Sequence, residues 1–197
     1  MNTTRDIARN AVRLELAEVA IGLFCSRGFE EATFDDLAAA AGVSRSTFLR
    51  YFGTKEDVVL SVLDPLGDLM SEELRSRPAG EEEWTSLRRA VDPAIEYFSR
   101  NPADSLVLLR LTRTTPALAG RLCEKQANWR PALAEILAAR TSPGNSTLLA
   151  SHVRAAAALH CLGIAAEHWA DAEARLPLGA LVDQAFATFT APRPVTA

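Results

Sequence analysis

The chain has 197 residues, 48% of them hydrophobic and 23% charged, with a formal net charge of −4, an ordinary balance for one or two compact soluble domains. No stretch approaches ~20 uninterrupted apolar residues, so no membrane span is expected. The opening MNTTRDIARNAVRLE lacks the apolar core of a signal peptide, so a cytoplasmic location is expected.

In chain order, residues 1–8 read as a loose arm, with Arg5 and Arg9 either solvated or reaching a DNA backbone or minor groove. A first helix is expected from about Asn10 to Arg27, with Leu16, Val19, Ala20, Leu23 and Phe24 as its core stripe. Gly28 ends it and Phe29 folds back into the core. Thr33 followed by Asp36 has the form of a capping box, and Leu37, Ala38 and Ala41 then give one apolar face. Gly42 suits a left-handed stop, Val43 is a single apolar plug, and Ser44 is a second N-cap. In the short helix that follows, Arg45 to about Tyr51, Phe48 and Phe52 turn inward at i, i+4. Arg45, Ser46, Thr47, Leu49, Arg50 and Tyr51 share the outer faces.

Helix, tight turn, then a short helix rich in Arg, Ser and Thr is the pattern of a helix-turn-helix, whose second helix enters a DNA major groove. Arg forks onto guanine or phosphate, and Ser and Thr donate to phosphates. A helical hairpin inside some other α protein fits the same pattern. Charge weighs against DNA: residues 1–57 hold seven Lys or Arg and nine Asp or Glu. The cations are nevertheless grouped, with Arg5, Arg9 and Arg13 at one end and Arg45, Arg50 and Lys55 at the other, and Glu15, Glu18, Glu30, Glu31, Asp35 and Asp36 fall between them.

The run LAEVAIGLFCSRGFEEATFDDLAAAAGVSRSTFLRYFGTKEDVVLSVL resembles the N-terminal domain of the TetR family of bacterial transcriptional regulators. The matching landmarks are Leu23-Phe24, Gly28-Phe29, Thr33, Leu37-Ala38, Ala41 to Ser44, Thr47-Phe48, Tyr51-Phe52 and Lys55-Glu56. Ser46 stands where many members have Gly, and Leu49 where many have a Tyr that contacts a phosphate. The form RSTFLRYFGTKEDVV is similar to a subgroup, common in actinobacteria, described as binding acyl-CoA-like ligands. The resemblance implies a homodimer on a palindromic DNA operator, controlled by a small-molecule effector. The implied DNA-binding residues are Thr33, Ser44, Arg45, Ser46, Thr47, Arg50, Tyr51 and Lys55.

Beyond Phe52, Thr54 caps a new helix with Asp57 at the capping-box position, and Lys55 in its first turn is placed to share a phosphate. This helix continues to about Arg75, with Pro65 kinking it or starting a second piece. The resemblance makes it the connector between two domains. RSRPAGEEEW is a loop. The next helix runs to about Arg100, bent at Pro93, and Asn101-Pro102 and Thr115-Pro116 each cap and start a helix. The second of these runs to about Arg140, interrupted at Pro131. The bends at Pro93 and Pro131 suggest helices that leave room for a ligand, with tolerated bends the alternative. TSPGNST is a second loop. Helices over about 147–172 and Leu178–Phe189 carry more apolar surface than one small bundle needs, and the family pairs them with their copies in a second subunit. APRPVTA is expected to be a disordered tail.

The expected architecture is therefore all-α, with about nine helices. Residues 1–56 form a helix-turn-helix domain with its motif at 33–52, residues 57–190 a ligand-binding and dimerisation domain, and 191–197 a tail. Trp84, Arg110, Arg113 and Trp129 are the ligand-binding candidates, the two Arg as a cationic mouth and the two Trp as pocket walls. Cys25, Cys123 and Cys161 are expected to be buried free thiols. His152, His160 and His168 lie eight apart, about 80° round a helix from one another, and do not converge on a metal. No catalytic motif is present, so neither an enzyme nor a cofactor is expected. The competing reading is a helical ligand carrier or interaction protein that keeps the hairpin without the DNA function.

Overall fold

The computed structural model describes residues 4–140 and 147–190, so the proposed tail and most of the TSPGNST loop lie outside the described residues. The described chain is all-α and falls into two compact units. The nine expected helical stretches are present, and two of them break, giving eleven helical segments.

The first unit comprises the residues up to Pro65 together with Arg110–Leu122. It contains α1 (Thr4–Arg27), α2 (Phe34–Ala40), α3 (Arg45–Tyr51) and α4 (Lys55–Ser61). Helix α1 begins at Thr4 rather than near Asn10, so Arg5 and Arg9 are helical, not part of a loose arm. No Gly or Pro interrupts the sequence there, and nothing stops the helix extending. Leu16, Ala20 and Phe24 are buried as expected, but Ala17 and Ile21 complete the stripe in place of Val19, which is 41% exposed, and Leu23, which is half-buried. Gly28, at φ +92°, ends α1. Phe29 then folds back with its ring 5.1 Å from that of Phe24.

Helix α2 starts on a complete capping box, and its far end is a Schellman motif: Val43 N donates to Ala38 O at 3.0 Å and Gly42 N to Ala39 O at 3.1 Å. Gly42 holds φ +67°, which a side chain would resist. Ser44 caps α3, and Phe48 and Phe52 are buried with ring centroids 4.9 Å apart. A second capping box, Thr54 with Asp57, opens α4. Val58, Val59 and Leu60 bury the helix, which packs on α1.

The second unit comprises Leu66–Leu109 and the described residues from Cys123 onward. Its helices are α5 (Asp64–Ser76), α6 (Glu83–Ala90), α7 (Asp92–Arg100), α8 (Pro102–Thr114), α9 (Pro116–Arg140), α10 (Leu148–Asp171) and α11 (Leu178–Ala187). The first residues of α5, the end of α8 and the start of α9 belong to the first unit. Pro93 is not an interior kink. Val91 ends α6 and begins α7, which puts Pro93 in the first turn of α7, where no N–H is needed. Pro65 does the same for α5, whereas Pro131 lies inside α9. Of the two bends that suggested a pocket, only Pro131 therefore remains inside a helix.

A polar knot closes the α5–α6 corner. Arg140 donates to the carbonyls of Leu74 (3.2 Å), in the last turn of α5, and of Arg77 (2.7 Å) and Pro78 (2.7 Å), just beyond it. Arg77 forks onto Glu81 at 2.9 Å through both nitrogens. That fork, with the Ser86 hydroxyl, pulls the Glu81 carboxyl down to about 2. Helix α9 meets α5 at Gly67, where a Cβ would lie 2.3 Å from Trp129 Cδ1, so only glycine allows this approach.

Helices α10 and α11 pack together, and Ala155, Ala158, Ala165 and Ala166 of the first and Leu178, Val182 and Phe186 of the second are buried. The outer side of α10 exposes Leu149 at 73%, Val153 at 60% and Ile164 at 53%, with His160 and Glu167 also exposed among them. By length and composition α10 would pass as a membrane span, which the sequence reading did not anticipate. It nevertheless carries Arg154 and Glu167, and Arg154 pairs with Glu83 of α6 at 2.7 Å. The cysteines divide: Cys161 is buried, which raises its thiol pKa, but Cys25 and Cys123 are exposed, contrary to the sequence expectation.

Candidate nucleic-acid interface

The local sequence determines how α3 is presented. Phe48, against Phe34 at 5.9 Å and Phe52 at 4.9 Å, anchors its inner side. Arg45, Ser46, Leu49 and Arg50, at i, i+1, i+4 and i+5, are all exposed and form one outer face. Arg45 Nε lies 3.6 Å from Asp35 Oδ1, a loose pair between two exposed side chains that is worth little in water. The Arg50 guanidinium sits 5.8 Å from the centre of the half-exposed Tyr51 ring. Both Arg can therefore be taken up by a nucleic acid at small cost.

The hydroxyls are not equivalent. Thr33 Oγ1 donates to Asp36 Oδ2 at 2.6 Å and accepts from Asp36 N, so its proton is committed to the cap. Ser44 Oγ accepts from Thr47 N at 3.2 Å and donates to Thr47 Oγ1 at 2.9 Å. Thr47 thus retains its own proton. Ser46 Oγ shares a hydrogen bond with Ser44 Oγ at 3.0 Å. The cap on α2 also sets local charge: the Thr33 hydroxyl and amide, with the Arg27 guanidinium, pull Asp36 down to about 2.

Lys55 is arranged differently from its sequence expectation. Its Nζ donates to the carbonyls of Phe29 (2.8 Å) and Glu30 (3.1 Å) and lies 4.8 Å from the Phe29 ring centre. Two of its three protons are bound to backbone, so it staples the α1–α2 loop to α4 rather than standing free for a phosphate. Arg13, grouped by sequence with the outward cations, pairs with Asp64 and lies 5.4 Å from the Phe52 ring centre.

Arg121, which sequence reading did not single out, pairs with Asp57 and donates to Thr54 Oγ1 at 3.3 Å. It ties the start of α9 to the capping box of α4. Two of the acids in residues 1–57 are paired in this way, Asp36 with Arg27 at 2.5 Å and Asp57 with Arg121, and Asp64, just beyond that stretch, pairs with Arg13.

The ligand candidates do not assemble into one site in either unit. Arg110 and Arg113, both exposed on α8, belong to the first unit. Trp84 belongs to the second, where its indole Nε1 donates to Phe186 O at 3.1 Å and its ring stacks on Phe186 at 4.6 Å and Phe189 at 5.3 Å. It lines an open pocket of about 260 Å³ with Arg88, Arg89 and Asp183. Trp129 packs instead on Gly67 of α5. Among the described residues no group of His, Cys, Asp or Glu is arranged to hold a metal.

This arrangement, a braced three-helix head with an outward second motif helix, is a helix-turn-helix of the DNA-binding kind. Residues 16–62 match the model for the N-terminal domain of bacterial regulatory proteins of the tetR family, and residues 81–194 match the MftR C-terminal domain. Among curated relatives, the regulator TcmR of Streptomyces glaucescens is 29% identical over 134 residues, 65% of this chain and 59% of that protein. The transcriptional regulator MftR of Mycobacterium tuberculosis is 28% identical over 167 residues, 82% of this chain and 81% of that protein. The solved fatty acid degradation regulator FadR of Bacillus halodurans shares the fold with a TM-score of 0.67 at 18% identity, covering 93% of this chain and 96% of that one. FadR of Thermus thermophilus, solved with lauroyl-CoA, gives a TM-score of 0.56 at 25% identity over 94% of this chain and 98% of that one. The chain belongs to the TetR family of bacterial transcriptional regulators and, like the proteins it matches, is a regulator rather than an enzyme.

Proposed function

We propose that this regulator is a ligand-responsive repressor that binds a palindromic operator as a homodimer, with α3 in the major groove of each half-site. The observation that carries the reading is the outer face of α3, with Arg45, Ser46 and Arg50 turned to solvent and Phe48 fully buried behind them. Arg45 and Arg50 contact guanine edges or phosphates, Thr47 and Tyr51 donate to the backbone, and Ser46 does so by exchanging its bond to Ser44 Oγ for one to a phosphate. Thr33, Ser44 and Lys55 act one step back: they hold α2, α3 and α4 in place through caps and carbonyl contacts. A symmetric pair of heads calls for half-sites about 34–36 Å apart, or a multiple of that.

The exposed apolar side of α10, with α11 beside it, is the proposed dimer face. The proposed effector is an acyl-CoA-like or other apolar, anionic molecule. FadR structures solved with lauroyl-CoA and stearoyl-CoA support that class, and Trp84, Arg110, Arg113 and Trp129 are the residues to test for it. The reading places the protein in the cytoplasm, with DNA recognition in residues 1–56 and effector binding and dimerisation in 57–190.

Titration of duplex DNA from around its own gene, followed by fluorescence anisotropy, tests the reading. A discrete complex released by an acyl-CoA is expected. Arg50→Ala should weaken it by about 1–3 kcal/mol and flatten its salt dependence. Unchanged affinity and salt slope would remove Arg50 from the interface. The absence of any complex would favour a helical ligand carrier.

A further inference from the structure

We infer that Leu49 reads the methyl group of a thymine in each half-site, which makes it a specificity-determining residue. The inference rests on the DNA-binding reading above. Leu49 is 42% exposed, the one apolar side chain on the outer face of α3, and it sits between Arg45 a turn before it and Arg50 next to it. It has no donor for a phosphate. The other large apolar residues of this segment, Phe48 and Phe52, are buried and hold the helix from the opposite side, so Leu49 has no part in the core.

The floor of the major groove decides what an apolar side chain in that place can favour. Guanine, cytosine and adenine edges are recognised there through their hydrogen-bonding atoms and carry no methyl group, which thymine alone adds. Leucine set against a polar edge strips water from it and returns nothing. Set against the methyl, both groups leave water together. The flanking Arg fix the register in which this contact is made, and Leu49 then discriminates at a base pair that neither Arg reads.

The test uses the full chain and a duplex obtained by in vitro selection from a random library. Each thymine is replaced in turn by deoxyuridine, in both half-sites at once, which deletes one methyl and leaves the pairing intact. One thymine position is expected to matter. Its demethylation should weaken wild-type binding about fourfold per half-site, the value of one buried methyl. Leu49→Ala should bind more weakly than wild type and be indifferent to the same replacement, while circular dichroism shows it fully folded. If no thymine is sensitive in the wild type, or if Leu49→Ala keeps the full sensitivity while still binding, the inference fails and the DNA-binding reading stands. A selection that returns no duplex would overturn both.

Discussion

Helices α3 and α10 both turn a face to solvent, and the two faces are chemical opposites. Helix α3 shows two Arg and a Ser around a single Leu, whereas α10 shows Leu149, Val153 and Ile164. The first face is at ease in water and gains by meeting a charged groove. The second loses about 25 cal/mol for every Å² of apolar surface left wet, and a stripe of this kind marks an interaction surface. The same contrast runs through their anchoring. Seven-residue α3 depends on one buried aromatic cluster, while 24-residue α10 has buried alanines spread along its length and packs on both α11 and α6. On the proposed function the contrast has a purpose: a recognition helix is held from behind at few points so that its front is free, and a dimer helix is finished by a second copy of itself.

The largest effect is expected where α3 is anchored. Phe48→Ala removes the ring between Phe34 and Phe52 and should destabilise the protein by about 3–5 kcal/mol in urea titration, with loss of DNA binding. A small change would mean that the presentation of α3 does not depend on this cluster. On the other side of the comparison, Ile164→Asp combined with Val153→Asp should leave the fold intact and convert a dimer to monomer. Like charges brought together across a symmetric interface cost several kcal/mol, so the dissociation constant should rise more than about 100-fold in sedimentation equilibrium. An unchanged dimer would place the interface elsewhere.

A pair of glycine substitutions gives the next largest effect, one in each unit. Gly67→Ala drives a Cβ to 2.3 Å from Trp129 and should cost about 1–3 kcal/mol. Gly22→Ala, in α1 with nothing within 4 Å, should instead stabilise by about 0.5–1 kcal/mol through helix propensity. Equal effects in melting experiments would show that the Trp129 contact is not formed in solution.

What was legible in the sequence follows from distance along the chain. The caps at Thr33, Ser44 and Thr54 and the stop at Gly42 involve partners within a few residues, so spacing alone revealed them. Arg13 meets Asp64 across 51 residues, Lys55 meets Phe29 across 26, and Arg121 meets Asp57 across 64. No local pattern encodes such pairs, and one of these cations, Lys55, was read as meeting a phosphate. Pro93 failed for another reason: the sequence around it reads the same whether proline bends a helix or begins one. Arg110 and Arg113 were paired by their i, i+3 spacing on one helix, but Trp84 and Trp129 were chosen for residue type, and type does not bring them to one place.

The smallest effect concerns the cap that positions α2 before the turn. Asp36 ordinarily titrates near 3.8, and the Thr33 hydroxyl and amide, followed by Arg27, bring it to about 2. A carboxyl depressed in the folded state stabilises fully above its unfolded value and loses that contribution as pH falls through the folded one. Stability and DNA affinity should therefore not respond to this group between about pH 5 and 8, and α2 should fray only on approach to about pH 2. Carboxyl-carbon NMR titration should give an Asp36 midpoint near 2, moving upward in Thr33→Val as the hydroxyl is lost. A wild-type midpoint near 4 would mean that the capping box is open in solution, and the start of the helix-turn-helix would then be held only by Leu37 and Ala38 against the core.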